Sequence, residues 1–291
     1  MQALETNKRF EGPKDKNHGF GEDQPMLTEL NGKAGCVCQP AKERKLRCPL
    51  IVRQTSEDVV TGEIFETLGA INPRSWLPDF LNRALGEDRF RRQLYRNFKI
   101  QLWQRQPLFP PGMIPWNEGQ TEVDVVISWD NPPTTVFVEM KYNAPLSAGT
   151  THNCGKGKYP ANQLIRNARV GLHQCGWYVD NQLFDQPKRD FVLILMAPNQ
   201  GNPLVTEYRN EKRLRQAIPG GNRIEKLPEQ PFIGELGYLD IVHILQDRRR
   251  YLSACERRLA DQLGDYIEFK LQSGRASERS TSQISQPLAI M

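Results

Sequence analysis

Two acidic residues and a lysine stand in apolar, strand-like segments near the middle of this chain. Asp124 interrupts the run EVDVVISWD, and Glu139 and Lys141 end the run TTVFVEMK. A carboxylate placed in an apolar strand costs free energy unless a cation or a hydrogen-bond network compensates it. Two such carboxylates beside a lysine therefore predict a site at which the three side chains act together.

The elements that must position these residues form a predicted β-hairpin. Residues 131–134 (NPPT) separate the two runs and have the composition of a turn. With a four-residue loop, Val126 lies opposite Glu139 and Asp124 lies opposite Lys141. Opposite residues share a sheet face, as do residues two apart on a strand, so the three side chains are expected on one face. A register slip of one residue would separate them.

Two neighbouring carboxylates suit a hard divalent cation. Mg²⁺ takes oxygen ligands from one or two protein carboxylates and from substrate phosphates, and Mn²⁺ is the alternative ion. Such an ion lowers the pKa of a bound water and neutralises charge on a phosphate. Asp124 and Glu139 are thus predicted metal ligands, and Lys141 is expected to position or deprotonate the attacking water or to stabilise negative charge. The alternative is a solvated hairpin face that carries a Glu–Lys pair without chemistry.

This pattern resembles the core of the PD-(D/E)XK nuclease superfamily. Asp124 is followed by a fourteen-residue spacer and then by Glu139-Met140-Lys141. In that superfamily the Asp and the Glu bind Mg²⁺ and the Lys assists the water. Val123 stands where the name-giving proline would be, a position that varies in the superfamily. The resemblance covers roughly residues 55–200 and implies an α/β fold with a restriction-endonuclease-like core, a mixed central β-sheet flanked by helices.

Two further site residues are implied by the same resemblance. Members often carry another acidic residue on a helix ahead of the first active-site strand, and Glu57 lies on the apolar face of a helix predicted for residues 56–70. Glu57 is therefore a candidate metal ligand, and the alternative is a helix-start acid that faces water. Some branches place a Gln on the helix after the E-x-K strand and a Tyr four residues later. Gln163 matches and is a catalytic candidate, whereas the fourth residue on is Asn167.

The helix predicted for about residues 160–175 also has a basic face. Arg166 and Arg169 on this helix are candidates for phosphate contacts, and the alternative is that both face solvent. Other segments complete the predicted core, namely helices at about 76–95 and 204–217 and strands at 97–103 and 190–197.

The ends of the chain are predicted to be auxiliary. Residues 1–48 form a polar, basic arm, and the spacing of its three cysteines, Cys36, Cys38 and Cys48, is not that of a typical zinc site. Residues 49–235 are the nuclease-like domain, and residues 236–272 a helical C-terminal extension that could form a homodimer or bind a partner protein. Residues 273–291 are predicted to be a tail without structure.

The composition of the chain limits the possible ligands and locations of the protein. The 291 residues include 39 basic and 34 acidic ones, so the net charge of +5 permits nucleic-acid binding without requiring it. There is no apolar run long enough for a membrane span and no signal peptide, so a cytoplasmic protein is expected. No Gly-rich phosphate loop precedes a helix, which argues against ATP use.

The sequence therefore predicts a Mg²⁺-dependent nuclease that acts on DNA, of a bacterial restriction or phage-defence kind. RNA is the alternative substrate, and no motif specifies the target sequence or whether cleavage is internal or from ends. The second hypothesis is a catalytically silent nucleic-acid or protein-binding module on the same scaffold.

Overall fold

The computed structural model describes most of the chain after residue 56. The described residues are 57–107, 114, 119–142, 146, 159–160, 162–179 and 188–284, with side chains described as far as Gln272. The basic arm predicted for residues 1–48 and its three cysteines lie outside the described residues.

One open sheet of five strands forms the centre of the described part of the chain. The strands are β1 (Arg96–Arg105), β2 (Glu122–Asp130), β3 (Thr134–Met140), β4 (Asp190–Ala197) and β5 (Ile233–Gly237), in the spatial order β1-β2-β3-β4-β5. Antiparallel pairs join β1 to β2 and β2 to β3, and parallel pairs join β3 to β4 and β4 to β5. The predicted α/β class with a mixed sheet is confirmed.

Seven α-helices of the described residues flank this sheet. They are α1 (Glu57–Ala70), α2 (Leu77–Leu85), α3 (Gln163–Gln174), α4 (Pro203–Arg209), α5 (Glu211–Ala217), α6 (Tyr238–Asp247) and α7 (Ala254–Ile284). One hydrophobic cluster joins one sheet face to α1, α2, α6 and α7, and a second joins the other face to α3, α4 and α5. Strands β3 and β4 are buried on both faces, which explains their nearly continuous apolar sequences.

The register of the β2–β3 hairpin differs from the predicted one. Trp129 pairs with Thr134 and Val125 with Val138, so the strands are displaced by two residues relative to the prediction. A displacement of two residues leaves every side chain on the same face, because the side-chain period of a strand is two. One further step along this register places Asp124 opposite Glu139, so the predicted convergence is retained although the predicted partners were wrong.

Helix α3 packs unusually close to the sheet at one residue. A Cβ atom built on Gly171 would lie 2.1 Å from the ring of Phe191 on β4, so only glycine fits at this point of the helix. The N-terminal end of α3 is capped by Asn162, whose side chain accepts a hydrogen bond from the Ile165 amide. Together these contacts fix the helix that follows the E-x-K strand against β3 and β4.

Three predicted helical segments have different bounds in the structure. The helix predicted for residues 76–95 ends at Leu85, where Gly86 adopts a left-handed conformation with φ 72° and terminates it. The helix predicted for residues 204–217 is two helices, because Asn210 interrupts it and caps α5 by accepting from the Arg213 amide. The C-terminal extension predicted from residue 236 begins instead inside strand β5, and helix α6 starts at Tyr238.

Helix α7 continues past the predicted end of the extension at Gln272. Its backbone is helical to Ile284, so the segment predicted to lack structure is helical over its first twelve residues, 273–284. No proline interrupts the sequence before Pro287, and serine is tolerated within helices. None of the described helices, α7 included, is both long and apolar enough to span a membrane.

Candidate active site

The acidic residues and the lysine meet at the end of strand β3. Asp124 lies near the start of β2, Glu139 is the penultimate residue of β3, and Lys141 follows the strand directly. Helix α1 brings its first residue, Glu57, to the same place. We call Glu57, Asp124, Glu139 and Lys141 the carboxylate–lysine cluster.

Glu139 is the most deeply buried member of the cluster, with no exposed surface. The Lys141 Nζ atom lies 2.7 Å from Glu139 Oε1, and the Asn167 side-chain amide donates to Glu139 Oε2 at 2.8 Å. Burial raises the pKa of Glu139, and the ammonium of Lys141 and the amide of Asn167 oppose that rise. The buried carboxylate is thus compensated by one cation and one hydrogen-bond donor, as such a group requires.

Lys141 is held between two carboxylates. Besides Glu139, its Nζ atom lies 3.3 Å from Glu57 Oε1 and donates to the Met140 carbonyl at 2.9 Å. Burial acts to lower the pKa of Lys141, but the negative charges of Glu139, Glu57 and then Asp124 outweigh it, and the net shift is upward. The side chain is therefore an ammonium ion at neutral pH.

Asp124 carries the charge that the cluster compensates least. Its Oδ2 atom accepts a hydrogen bond from the Met140 amide at 2.8 Å. Burial, followed by the charge of Glu139, raises the pKa of Asp124 to about 7, and the Met140 amide and Lys141 only partly oppose the rise. Three carboxylates share one ammonium, so ionisation of Asp124 leaves the cluster with an excess of negative charge.

Two carboxylates of this cluster offer the kind of oxygen ligand that a hard divalent cation prefers. Burial and then the charge of Glu139 raise the pKa of Asp124, and a cation held between the two carboxylates would oppose that rise. Among the described residues, no group of three or more His, Cys, Asp or Glu side chains is arranged to hold a metal ion. Glu57, the candidate third ligand, instead contacts Lys141 and accepts from the Tyr142 amide at 2.8 Å.

Helix α3 contributes a different residue from the one predicted. Gln163 is the half-buried first residue of the helix, and Asn167, one turn later, makes the hydrogen bond to Glu139. Asn167 occupies the position at which the resemblance implies a Tyr, four residues after the Gln. That spacing was the signal by which sequence reasoning could have selected Asn167.

The two arginines predicted on α3 have different environments. Arg166 is half-buried and donates to the Thr121 hydroxyl at 3.3 Å, immediately before the start of β2, so it lies at the same end of the sheet as the cluster. Arg169 is only 1 % exposed, so its guanidinium is not at a surface that a phosphate could reach.

A second residue that sequence reasoning missed is Tyr238. Its hydroxyl donates to the Lys141 carbonyl at 2.7 Å, across a separation of 97 residues in the chain. No local pattern signals such a contact, because it depends on how α6 packs beside the end of β3.

Comparison of the chain with models of protein families, with curated proteins and with solved structures gives no significant match.

Proposed function

We propose that this protein is a Mg²⁺-dependent nuclease that hydrolyses phosphodiester bonds in DNA, with a restriction-endonuclease-like core. The observation that carries the proposal is the convergence of Asp124, Glu139 and Lys141 at the end of β3. A buried cluster with more carboxylates than cations costs folding free energy, and such arrangements concentrate at functional sites.

The roles of the residues follow from their charges. Asp124 and Glu139 would hold the Mg²⁺ ion, which when bound supplies an activated water and neutralises phosphate charge. Lys141 is an ammonium ion whose positive charge suits it to stabilise negative charge, and it would orient the attacking water by exchanging one of its contacts with Glu57, Glu139 or the Met140 carbonyl. Glu57 and Asn167 hold Lys141 and Glu139 in place.

DNA is the proposed partner, and Arg166, which lies at the same end of the sheet as the cluster, is a candidate for contact with a phosphate. On the resemblance of residues 55–200 to the PD-(D/E)XK superfamily, we extend the proposal to a bacterial restriction or phage-defence endonuclease, and we place it in the cytoplasm as the sequence composition led us to expect.

A catalytically silent module on the same scaffold is the second candidate. One observation favours it: Glu139 already has an ammonium and an amide as partners, so its charge is compensated by protein groups alone. Such a module would bind nucleic acid or a protein without cleaving it.

The two candidates are separated by incubating the purified protein with supercoiled plasmid, linear duplex DNA, single-stranded DNA and RNA. Each substrate is tested with Mg²⁺, with Mn²⁺ and with EDTA. The nuclease proposal predicts cleavage of at least one DNA substrate with a metal ion and none with EDTA. Binding of DNA without cleavage under all metal conditions would instead support the silent module. Cleavage of RNA alone would show that RNA, and not DNA, is the substrate.

A further inference from the structure

Lys141 lies beyond the last residue of strand β3, so the strand ladder with β2 does not fix its orientation. Three hydrogen bonds to other elements hold its main chain. The Lys141 amide donates to the Met196 carbonyl on β4 at 2.8 Å, and the next amide, of Tyr142, donates to Glu57 at 2.8 Å. The Lys141 carbonyl accepts from the Tyr238 hydroxyl at 2.7 Å.

Tyr238 is a rigidly held donor. It is the first residue of α6, it has no exposed surface, and its ring lies 6.2 Å from the ring of Tyr142. The turn that precedes it is fixed by Asp240, whose Oδ2 atom accepts from the Gly237 amide at 2.7 Å. The hydroxyl is therefore presented to Lys141 by a buried helix start whose preceding turn is held by a hydrogen bond.

The three contacts differ in whether one of them can be removed without disturbing the cluster or the sheet. Glu57 is a member of the cluster, and the Met196 carbonyl belongs to a central strand, so neither can be removed without other effects. Tyr238 is uncharged, and the described bond of its hydroxyl is to the Lys141 carbonyl. Loss of that bond would free the peptide group whose orientation directs the ammonium toward Glu139.

We infer that Tyr238 is a positioning residue of the site, so that helix α6 contributes to the site through this residue. The hydroxyl fixes the Lys141 carbonyl, and with it the direction in which the lysine side chain leaves the end of β3. The expected effect of Tyr238 on cleavage rests on the proposed function. The effect of Tyr238 on the local main chain can be measured without cleavage.

The test compares Tyr238→Phe with a matched control, Tyr95→Phe. Tyr95 is also buried, and its hydroxyl also donates to a main-chain carbonyl, that of Phe90, at 2.7 Å. Its ring packs on Trp129, at the opposite end of β2 from Asp124. The two variants thus lose the same kind of hydrogen bond, one at the cluster and one far from it.

For cleavage of supercoiled plasmid DNA with Mg²⁺, Tyr238→Phe is expected to lower kcat about tenfold and to leave KM unchanged. A misdirected catalytic group stabilises the transition state less well, whereas substrate binding does not depend on it. Tyr95→Phe is expected to keep the kcat of the wild type, while both variants lower Tm similarly. An unchanged kcat in Tyr238→Phe, or an equal loss in both variants, would overturn the inference.

Hydrogen exchange measured by mass spectrometry gives a readout that needs no substrate. Tyr238→Phe is expected to speed exchange in peptides that contain the Lys141 and Tyr142 amides, whereas Tyr95→Phe leaves those peptides unchanged. If the wild type cleaves nothing, the proposed function fails, and exchange alone decides the positional claim. Unaltered exchange at Lys141 and Tyr142 in Tyr238→Phe would refute that claim.

Discussion

The carboxylates of the carboxylate–lysine cluster lie partly or fully out of water, which costs folding free energy when no metal ion is bound. Glu139 is fully buried and Asp124 half-buried, yet Lys141, which contacts Glu139, is the one ammonium that the described residues bring to the cluster. A core of apolar residues at these positions would cost less. The proposed function would account for this cost, and the cost of Asp124 can be measured directly.

Replacing Asp124 with Asn is expected to stabilise the protein more at pH 8 than at pH 5. Burial and Glu139 raise the pKa of Asp124 from 3.8 to about 7, so the folded protein holds this proton more tightly than the unfolded chain. The stability contributed by this protonation is fully present below about pH 4 and is lost as the pH rises through 7. Asn cannot ionise, and its side-chain oxygen can still accept from the Met140 amide.

The measurement is thermal unfolding of wild type and Asp124→Asn in EDTA at both pH values. A gain of roughly 2–4 °C in Tm at pH 8 is expected for each kcal/mol recovered. Asp130→Asn serves as the control, since hydrogen bonds from Asn97 and Arg189 lower the pKa of that exposed carboxyl and its replacement brings no gain. Equal Tm changes at pH 5 and pH 8 for Asp124→Asn would contradict the account.

Replacing Arg166 with Ala is expected to weaken DNA binding through the loss of one phosphate contact. The slope of log affinity against log salt concentration should fall in magnitude by about 1. Fluorescence anisotropy of a labelled DNA duplex, titrated in EDTA at several salt concentrations, measures this slope. Lys226→Ala is the control, because Lys226 lies beside the hairpin turn at the other end of the sheet. Identical slopes for the two variants would rule out the proposed contact.

At the scale of elements, the hairpin shows what local sequence can and cannot predict. The two strands and the shared face of Asp124, Glu139 and Lys141 follow from alternation and turn composition. The register does not, because Thr134 joins β3 and pairs with Asp190 of the parallel strand β4, a contact between distant segments. Asn131 takes a left-handed φ of 68°, which places the turn one residue earlier than composition alone suggested.

Strand β5 was not predicted for a related reason. Its sequence, IGELG, is short and contains two glycines, which are disfavoured in strands. A Cβ atom on Gly234 would lie 2.3 Å from the Ala84 carbonyl oxygen at the end of α2, so the glycine is required by packing rather than by strand formation. Such close approaches are visible only once the helices are placed on the sheet.

Replacing Gly171 with Ala tests the close packing of α3 on β4. The new methyl group would overlap the Phe191 ring, and the free energy of unfolding is expected to fall by about 1–3 kcal/mol. Gly264→Ala in α7 is the control, since its Cβ atom would lie 3.6 Å from Val242, an ordinary contact. There the substitution should stabilise by up to about 1 kcal/mol through helix propensity. Denaturant unfolding measures both, and an equal effect of the two substitutions would contradict this packing.

At the scale of the whole molecule, the C-terminal helices belong to the same body as the sheet. Strand β5 spans the boundary predicted between residues 235 and 236, and α6 and α7 share a hydrophobic cluster with α1 and the sheet. Tyr142 extends this connection to the site, because its hydroxyl donates to the Lys270 carbonyl on α7 while its amide donates to Glu57. The use of these helices in a homodimer or with a partner protein stays a prediction.

If the carboxylate–lysine cluster cleaves DNA, substitutions within it must slow cleavage while a distant substitution does not. Cleavage of supercoiled plasmid DNA with Mg²⁺ is measured for the wild type, Glu139→Gln, Lys141→Ala and the distant control Lys226→Ala. The account predicts that the two cluster substitutions lower the rate by about 10²–10⁴-fold and that the control matches the wild type. Cleavage by Glu139→Gln and Lys141→Ala at the wild-type rate, or no cleavage by the wild type itself, would contradict it.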